Sequence, residues 1–239
     1  MTLTPFRAVF KGVELTLQQK TTVFVDPVCP TGGHVWPSAL SLLRFLETVV
    51  FPPYSIFVDL SAGCGLVSLA LTLLGGKTYS LEIHSALPLL QANCPHSTCE
   101  EFYWGHSIPS CISSEEVYLT VACDLLYCAV RDGVERELAK TLVALSLHSR
   151  RGTLIVWEPR KEADEFRLLT LAEEMGEGLL KLSYTKKLDG GGLGGGGGGS
   201  PEGEIFYPPS LFPDAEEGLT VLAVTLSRDG DWKHLFGCV

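Results

Sequence analysis

The chain of 239 residues is short of positive charge: 18 Lys and Arg stand against 28 Asp and Glu, for a net charge of −10. That makes it a poor binder of DNA or RNA backbone, which calls for clustered Lys and Arg. A small molecule or a basic protein surface is the better match. Long hydrophobic runs are missing as well. The longest, about Leu66 to Leu74, falls well below the roughly 20 residues of a membrane span. The first residues, Met1-Thr2-Leu3-Thr4-Pro5-Phe6-Arg7, lack a basic segment followed by an apolar one, so no signal peptide is expected. Without one, the eight cysteines are expected to be reduced thiols of a cytoplasmic protein, with the nucleus also open. There is no internal repeat. The run Cys94, His96, Cys99, His106 and Cys111 has no standard zinc spacing, so no metal is expected.

What is abundant is apolar material, 46% of the residues, enough for a sizeable core. Its periodicity changes along the chain. Residues 6 to 17 alternate as strand, turn and strand, with Lys11-Gly12 between them. After a loop rich in Pro and Gly, residues 35 to 49 carry Ala39, Leu42, Leu43 and Leu46 at helical spacing, and Pro52-Pro53 ends them. Strand and helix signals then alternate: strand 55–60, helix 65–74, strand 77–83, helix 84–93 and a short strand near 101–104. Strand 117–123, helix 131–148, strand 153–158 and helix 161–175 follow, and strands 180–187 and 219–227 close the series. Such alternation predicts an α/β fold with a mostly parallel sheet covered by helices on both faces. The last two strands have no helix between them, so one should run antiparallel. The division expected is an N-terminal hairpin and loop over 1–34 and one domain over 35–239. The glycine-rich stretch at about 188–201 is a low-complexity insertion, too long for a phosphate loop.

The stretch from Phe57 to Val67 carries the chemistry. An apolar strand ends in Asp59, then Ser61-Ala62-Gly63-Cys64-Gly65 opens a helix. Small residues there let backbone N–H groups approach a ligand beside the positive end of a helix. Gly63 to Ser68 nearly matches G-x-G-x-x-G/A, a weak signal alone that also suits a dinucleotide. Glu82, 23 residues after Asp59, ends the next strand, where an acid accepts ribose hydroxyls. Two acids flanking a small-residue loop suit a cofactor with a cationic end, and S-adenosylmethionine has an ammonium and a sulfonium. The plain alternatives are a helix-capping carboxylate at Asp59 and a solvated strand end at Glu82.

Further candidates lie where the other strands end. Trp104 can stack on an adenine, and Asp124 and Tyr127 point a carboxylate and a phenol at the same cleft, suited to orienting an amine. Asp124 could instead cap the helix that follows. Trp36, before Pro37, is either core or cofactor contact, and Asn93 is either a cap or functional.

Taken in order, these motifs resemble the seven-strand methyltransferase-like enzymes that modify lysines of non-histone proteins. The likeness runs from Val13–Gln19 through Val35-Trp36, Asp59–Gly65, Glu82, Asn93 and Trp104-Gly105 to the D-x-x-Y at Asp124-Leu125-Leu126-Tyr127. It implies a Rossmann-like seven-stranded sheet with S-adenosyl-L-methionine as cofactor. Its cofactor contacts would be Trp36, the Ser61, Ala62 and Gly63 loop, Glu82, Trp104 and Cys123, with Asp59 and Gly65 framing the loop. Asp124 and Tyr127 would serve the acceptor lysine. The chain departs from the pattern in three places. Ser61 stands where the first loop glycine belongs and fits there with a negative φ, an acid is absent around Tyr118, and the glycine run is not a family feature. Two other readings stay open: a methyltransferase fold kept as a binding module without catalysis, and a nicotinamide dehydrogenase.

Overall fold

A computed structural model describes residues 2–20, 32–158, 165–185 and 222–228. The glycine-rich stretch lies outside these residues. The first two strands, β1 (Leu3–Phe10) and β2 (Val13–Lys20), pair antiparallel with Phe10 opposite Val13. Lys11 and Gly12 join them with φ of 48° and 77°, the left-handed pair that a two-residue hairpin turn demands. The inner face of the hairpin buries Phe10, Leu15 and Leu17.

Helix α1 (Pro37–Thr48) starts with Pro37 in its first turn, where the missing N–H costs nothing. It buries Leu42, Leu43, Phe45 and Leu46. Then come β3 (Ile56–Leu60), α2 (Leu66–Leu73), β4 (Lys77–Glu82), α3 (Leu87–Asn93), β5 (Thr98–Glu101) and the short α4 (Ser110–Ser113). The second half holds β6 (Leu119–Cys123), α5 (Leu126–Asp132), α6 (Glu135–His148), β7 (Thr153–Trp157), α7 (Glu165–Met175), β8 (Lys181–Thr185) and β9 (Leu222–Ser227).

Among the described residues, the seven strands outside the hairpin form one sheet in the order β5-β4-β3-β6-β7-β9-β8. Strands β3 to β7 are parallel. As expected, one of the last two runs against the rest: β9 pairs antiparallel with both β7 and β8. Successive residues of β3 feed different cores. Phe57 joins the layer of α1, α2 and the hairpin, whereas Val58 and Leu60 join that of α5, α6 and α7. Burial on both faces explains why the strand is nearly all apolar, and makes Asp59 conspicuous.

Three boundaries differ from the sequence expectation. The helix expected at 131–148 is α6, starting at Glu135, and a separate helix not expected from the sequence, α5, precedes it, closed by Gly133 at φ 69° in the left-handed conformation. Tyr127 sits in that short helix. The strand expected near 101–104 is β5 at 98–101, because its polar sequence Thr-Cys-Glu-Glu carries no alternation, while the aromatics Phe102, Tyr103 and Trp104 lie just beyond it. The helix expected from 84 begins at Leu87, after a turn in which Ile83 carbonyl accepts Ala86 and Leu87 N–H.

Chain order reverses between β3 and β6, which are neighbours although β4 and β5 intervene in sequence. The carboxyl ends on either side of such a reversal diverge and leave a crevice. The loops after β3, β4, β5 and β6 all open at that edge.

Candidate active site

The loop after β3 turns through three left-handed residues: Ser61 at φ 62°, Gly63 at 59° and Gly65 at 96°. The negative φ that would let a serine replace the glycine without strain is not found; the serine takes the conformation that glycine would. Its hydroxyl accepts the indole N–H of Trp104 at 3.0 Å. Ala62 N–H donates to Leu81 carbonyl at 3.0 Å and Gly65 N–H to Ala62 carbonyl at 2.9 Å, which shapes the loop.

Glu82 closes the cradle. Its Oε2 accepts the Gly63 N–H at 2.7 Å and its Oε1 the Ile83 N–H at 2.9 Å. Burial pushes its carboxyl up, against the two N–H bonds and the charge of Lys20, which all favour the ionised form. Lys20, at the end of β2, is itself buried, and no motif in the sequence pointed to it.

The side chain of Asp59, expected at the cofactor, faces inward instead. Asp59 is 1% exposed, and its Oδ2 accepts the Ser68 hydroxyl at 2.6 Å; the Ser80 hydroxyl donates to Ser68 Oγ at 2.7 Å. This chain ties β3, α2 and β4 together beneath the loop. Burial raises the Asp59 carboxyl to about 7, opposed by the Ser68 bond and assisted by Glu82. Gly65 turns toward α3, where a Cβ would collide with Cys94 Sγ. Asn93 is neither a cap nor at the crevice: its amide bonds Gln18 and the Cys64 carbonyl.

On the far side of the crevice, Cys123 Sγ lies 3.5 Å from Ser38 Oγ. That contact joins the end of β6 to the start of α1, two residues after Trp36. Burial first, then Asp124, pushes the Cys123 thiol up, which suits packing rather than nucleophilic attack. Trp36 is the residue that opens α1 and stands edge-on to His34, ring centroids 6.1 Å apart. Asp124 adopts φ 56°. Its N–H donates to Val156 carbonyl at 2.8 Å, and its Oδ1 accepts a long 3.4 Å bond from Glu158 N–H. The N-cap position of α5 is Leu125, whose side chain makes no cap bond, and Asp124 stands one residue before it. Tyr127 is half-buried in the first turn of α5, with the Arg131 guanidinium 5.9 Å from its ring centre.

Among the described residues, no group of three His, Cys, Asp or Glu is placed to hold a metal ion, and no helix is long and apolar enough to cross a membrane.

The geometry suits the cofactor the acids suggested. Each Glu82 oxygen accepts one backbone N–H and keeps acceptor capacity for a hydroxyl, while Trp104 is tied to the same loop through Ser61. A sheet of this order, with a small-residue loop after β3 and an acid ending β4, is the architecture of the Rossmann-like, S-adenosylmethionine-dependent methyltransferases. Solved structures agree on the fold. A TehB-like S-adenosylmethionine-dependent methyltransferase from Corynebacterium glutamicum matches with TM-score 0.51 at 14% identity, covering 82% of this chain and 90% of that one. The 16S rRNA N2 methyltransferase RsmC of T. thermophilus, solved with AdoMet and guanosine, matches with TM-score 0.51 at 16% identity, covering 95% and 51%.

Within that class the chain belongs to the lysine methyltransferase family, whose sequence pattern matches residues 13–174. Protein-lysine methyltransferase METTL21E of Mus musculus is 28% identical over 166 residues, 60% of this chain and 65% of the relative. The chain thus spans under two thirds of the length of that relative.

Proposed function

We propose that this chain transfers methyl groups from S-adenosylmethionine to a lysine side chain of a non-histone protein, in the cytoplasm or nucleus. The observation that carries the reading is the Glu82–Gly63 cradle, which sets a buried carboxylate against the turn of the small-residue loop at 2.7 Å. Glu82 would hold the two ribose hydroxyls. The backbone of Ser61, Ala62 and Gly63 would line the methionine end, with Trp104 at the adenine and Trp36 and Cys123 on the opposite wall. Bound S-adenosylmethionine supplies an electrophilic methyl group on a sulfonium.

The residues of the chain provide position and protonation. Asp124 lies at the edge of β6, one residue after Cys123, in a left-handed conformation that a non-glycine residue adopts at a cost. Its carboxylate orients the acceptor ammonium on entry, and the Tyr127 hydroxyl gives the nitrogen a second contact. Lysine attacks only as the neutral amine, and partial burial favours loss of its proton. Holding the amine in line with the methyl–sulfur bond then supplies most of the rate.

The reading is tested by incubating the protein with radiolabelled S-adenosylmethionine and a cell lysate. A labelled protein band is expected. Labelling no greater than with a Glu82→Gln variant contradicts the reading.

A further inference from the structure

Ser61 carries a backbone conformation that disfavours serine, at φ 62°. The side chain offsets that cost with one specific bond, accepting the Trp104 indole N–H at 3.0 Å. Ser61 directly follows β3 and Trp104 lies in the loop three residues past β5, and β4 lies between those strands. Neighbouring strands lie roughly 4.8 Å apart, so the bond closes a gap of roughly 10 Å at the sheet edge. The bond therefore links the loops on either side of β4, whose last residue is Glu82. An indole N–H is a donor only, and a glycine at position 61 would give it no side-chain acceptor. The main chain of the same loop is tied separately to β4, through Ala62 N–H and Leu81 carbonyl. Among the described residues, the hydrogen bond of the Ser61 hydroxyl is to Trp104.

We infer that Ser61 is a positioning residue: its hydroxyl fixes the plane of the Trp104 indole as a preset wall for the adenine of the methyl donor. This rests on the cofactor reading above. It adds that the serine at this turn contributes to affinity through Trp104, by sparing the ligand the cost of ordering a rotatable ring.

The test is a double-mutant cycle on the dissociation constant of S-adenosylhomocysteine, measured by calorimetry. Ser61→Ala removes the acceptor and keeps a Cβ. Ser61→Gly removes the acceptor and relieves the backbone, which keeps the fold available if alanine does not. Trp104→Phe keeps an aromatic ring and removes the N–H donor. Each serine variant should weaken binding about three- to tenfold, the cost of ordering one rotatable side chain on binding. In the Trp104→Phe background the same serine changes should have no further effect. Additive losses would overturn the inference, because Ser61 would then act without Trp104. Unchanged or tighter binding in Ser61→Gly would overturn it too, showing the bond to be idle or the indole to be a plug. If wild-type protein binds no S-adenosylhomocysteine, the cofactor reading falls and takes the inference with it. Binding by wild type with an additive cycle defeats the inference alone.

Discussion

Asn93 brackets the backbone of Gln18 from both sides. Its Oδ1 accepts the Gln18 N–H at 2.9 Å, and its Nδ2 donates to the Gln18 carbonyl at 2.8 Å. The same Nδ2 donates to the Cys64 carbonyl at 2.8 Å. One side chain, 9% exposed, therefore fastens the N-terminal hairpin, the end of α3 and the loop after β3.

Asn93→Ala should lower stability by about 2–3 kcal/mol, since it leaves a buried carbonyl and a strand-edge amide without partners. Urea unfolding measures the loss, and amide exchange at Gln18 should quicken in the same variant. Unchanged stability would show that the hairpin docks through its apolar face alone.

Asp59 makes stability depend on pH. Its carboxyl is raised from 3.8 to about 7 by burial. Between about pH 4 and 7 the folded chain keeps a proton that the unfolded chain gives up. Stability therefore declines as pH rises through that window and levels off above it, by on the order of a few kcal/mol. Asp59→Asn still accepts the Ser68 hydroxyl and cannot ionise, so its melting temperature should gain on wild type from pH 4 to 7. Glu82, raised in the same direction, remains in the variant, so the slope shrinks without vanishing. Parallel melting curves for the two proteins would contradict the buried, protonated Asp59.

Glu82→Gln replaces one acceptor oxygen with a donor that faces either the Gly63 or the Ile83 N–H. It also removes a charged acceptor from two ribose hydroxyls. Charge-assisted bonds contribute about 1.5–3 kcal/mol each, so the dissociation constant for S-adenosylmethionine should rise at least tenfold. Unaltered affinity in a folded variant would remove Glu82 from the ribose site.

The parallel sheet was legible because each strand is an apolar run followed by helical spacing, and the loop after β3 because small residues and flanking acids are local signals. The helix α5 was not legible, since its seven residues between Asp124 and Gly133 are too short to show helical spacing. Asp59 and Glu82 look alike in sequence, each an acid at or near a strand end. Their fates diverge through partners that are remote in sequence or silent in motif: Ser68 and Ser80 draw Asp59 into the core, and Gly63 holds Glu82 at the crevice. Likewise nothing local announces the bond from Trp104 to Ser61, which spans 43 positions.

The most direct test of the account is the chemical identity of the methylated product. Lysate proteins labelled from radioactive S-adenosylmethionine are hydrolysed to amino acids, with wild type and Asp124→Asn compared side by side. Asn tolerates the left-handed conformation of Asp124, and the cofactor cradle is untouched, so the variant should bind the methyl donor normally. The account predicts label in methyl-lysine with wild type and about 10²-fold less with the variant. Label in another amino acid, or equal methyl-lysine from both proteins, would contradict it.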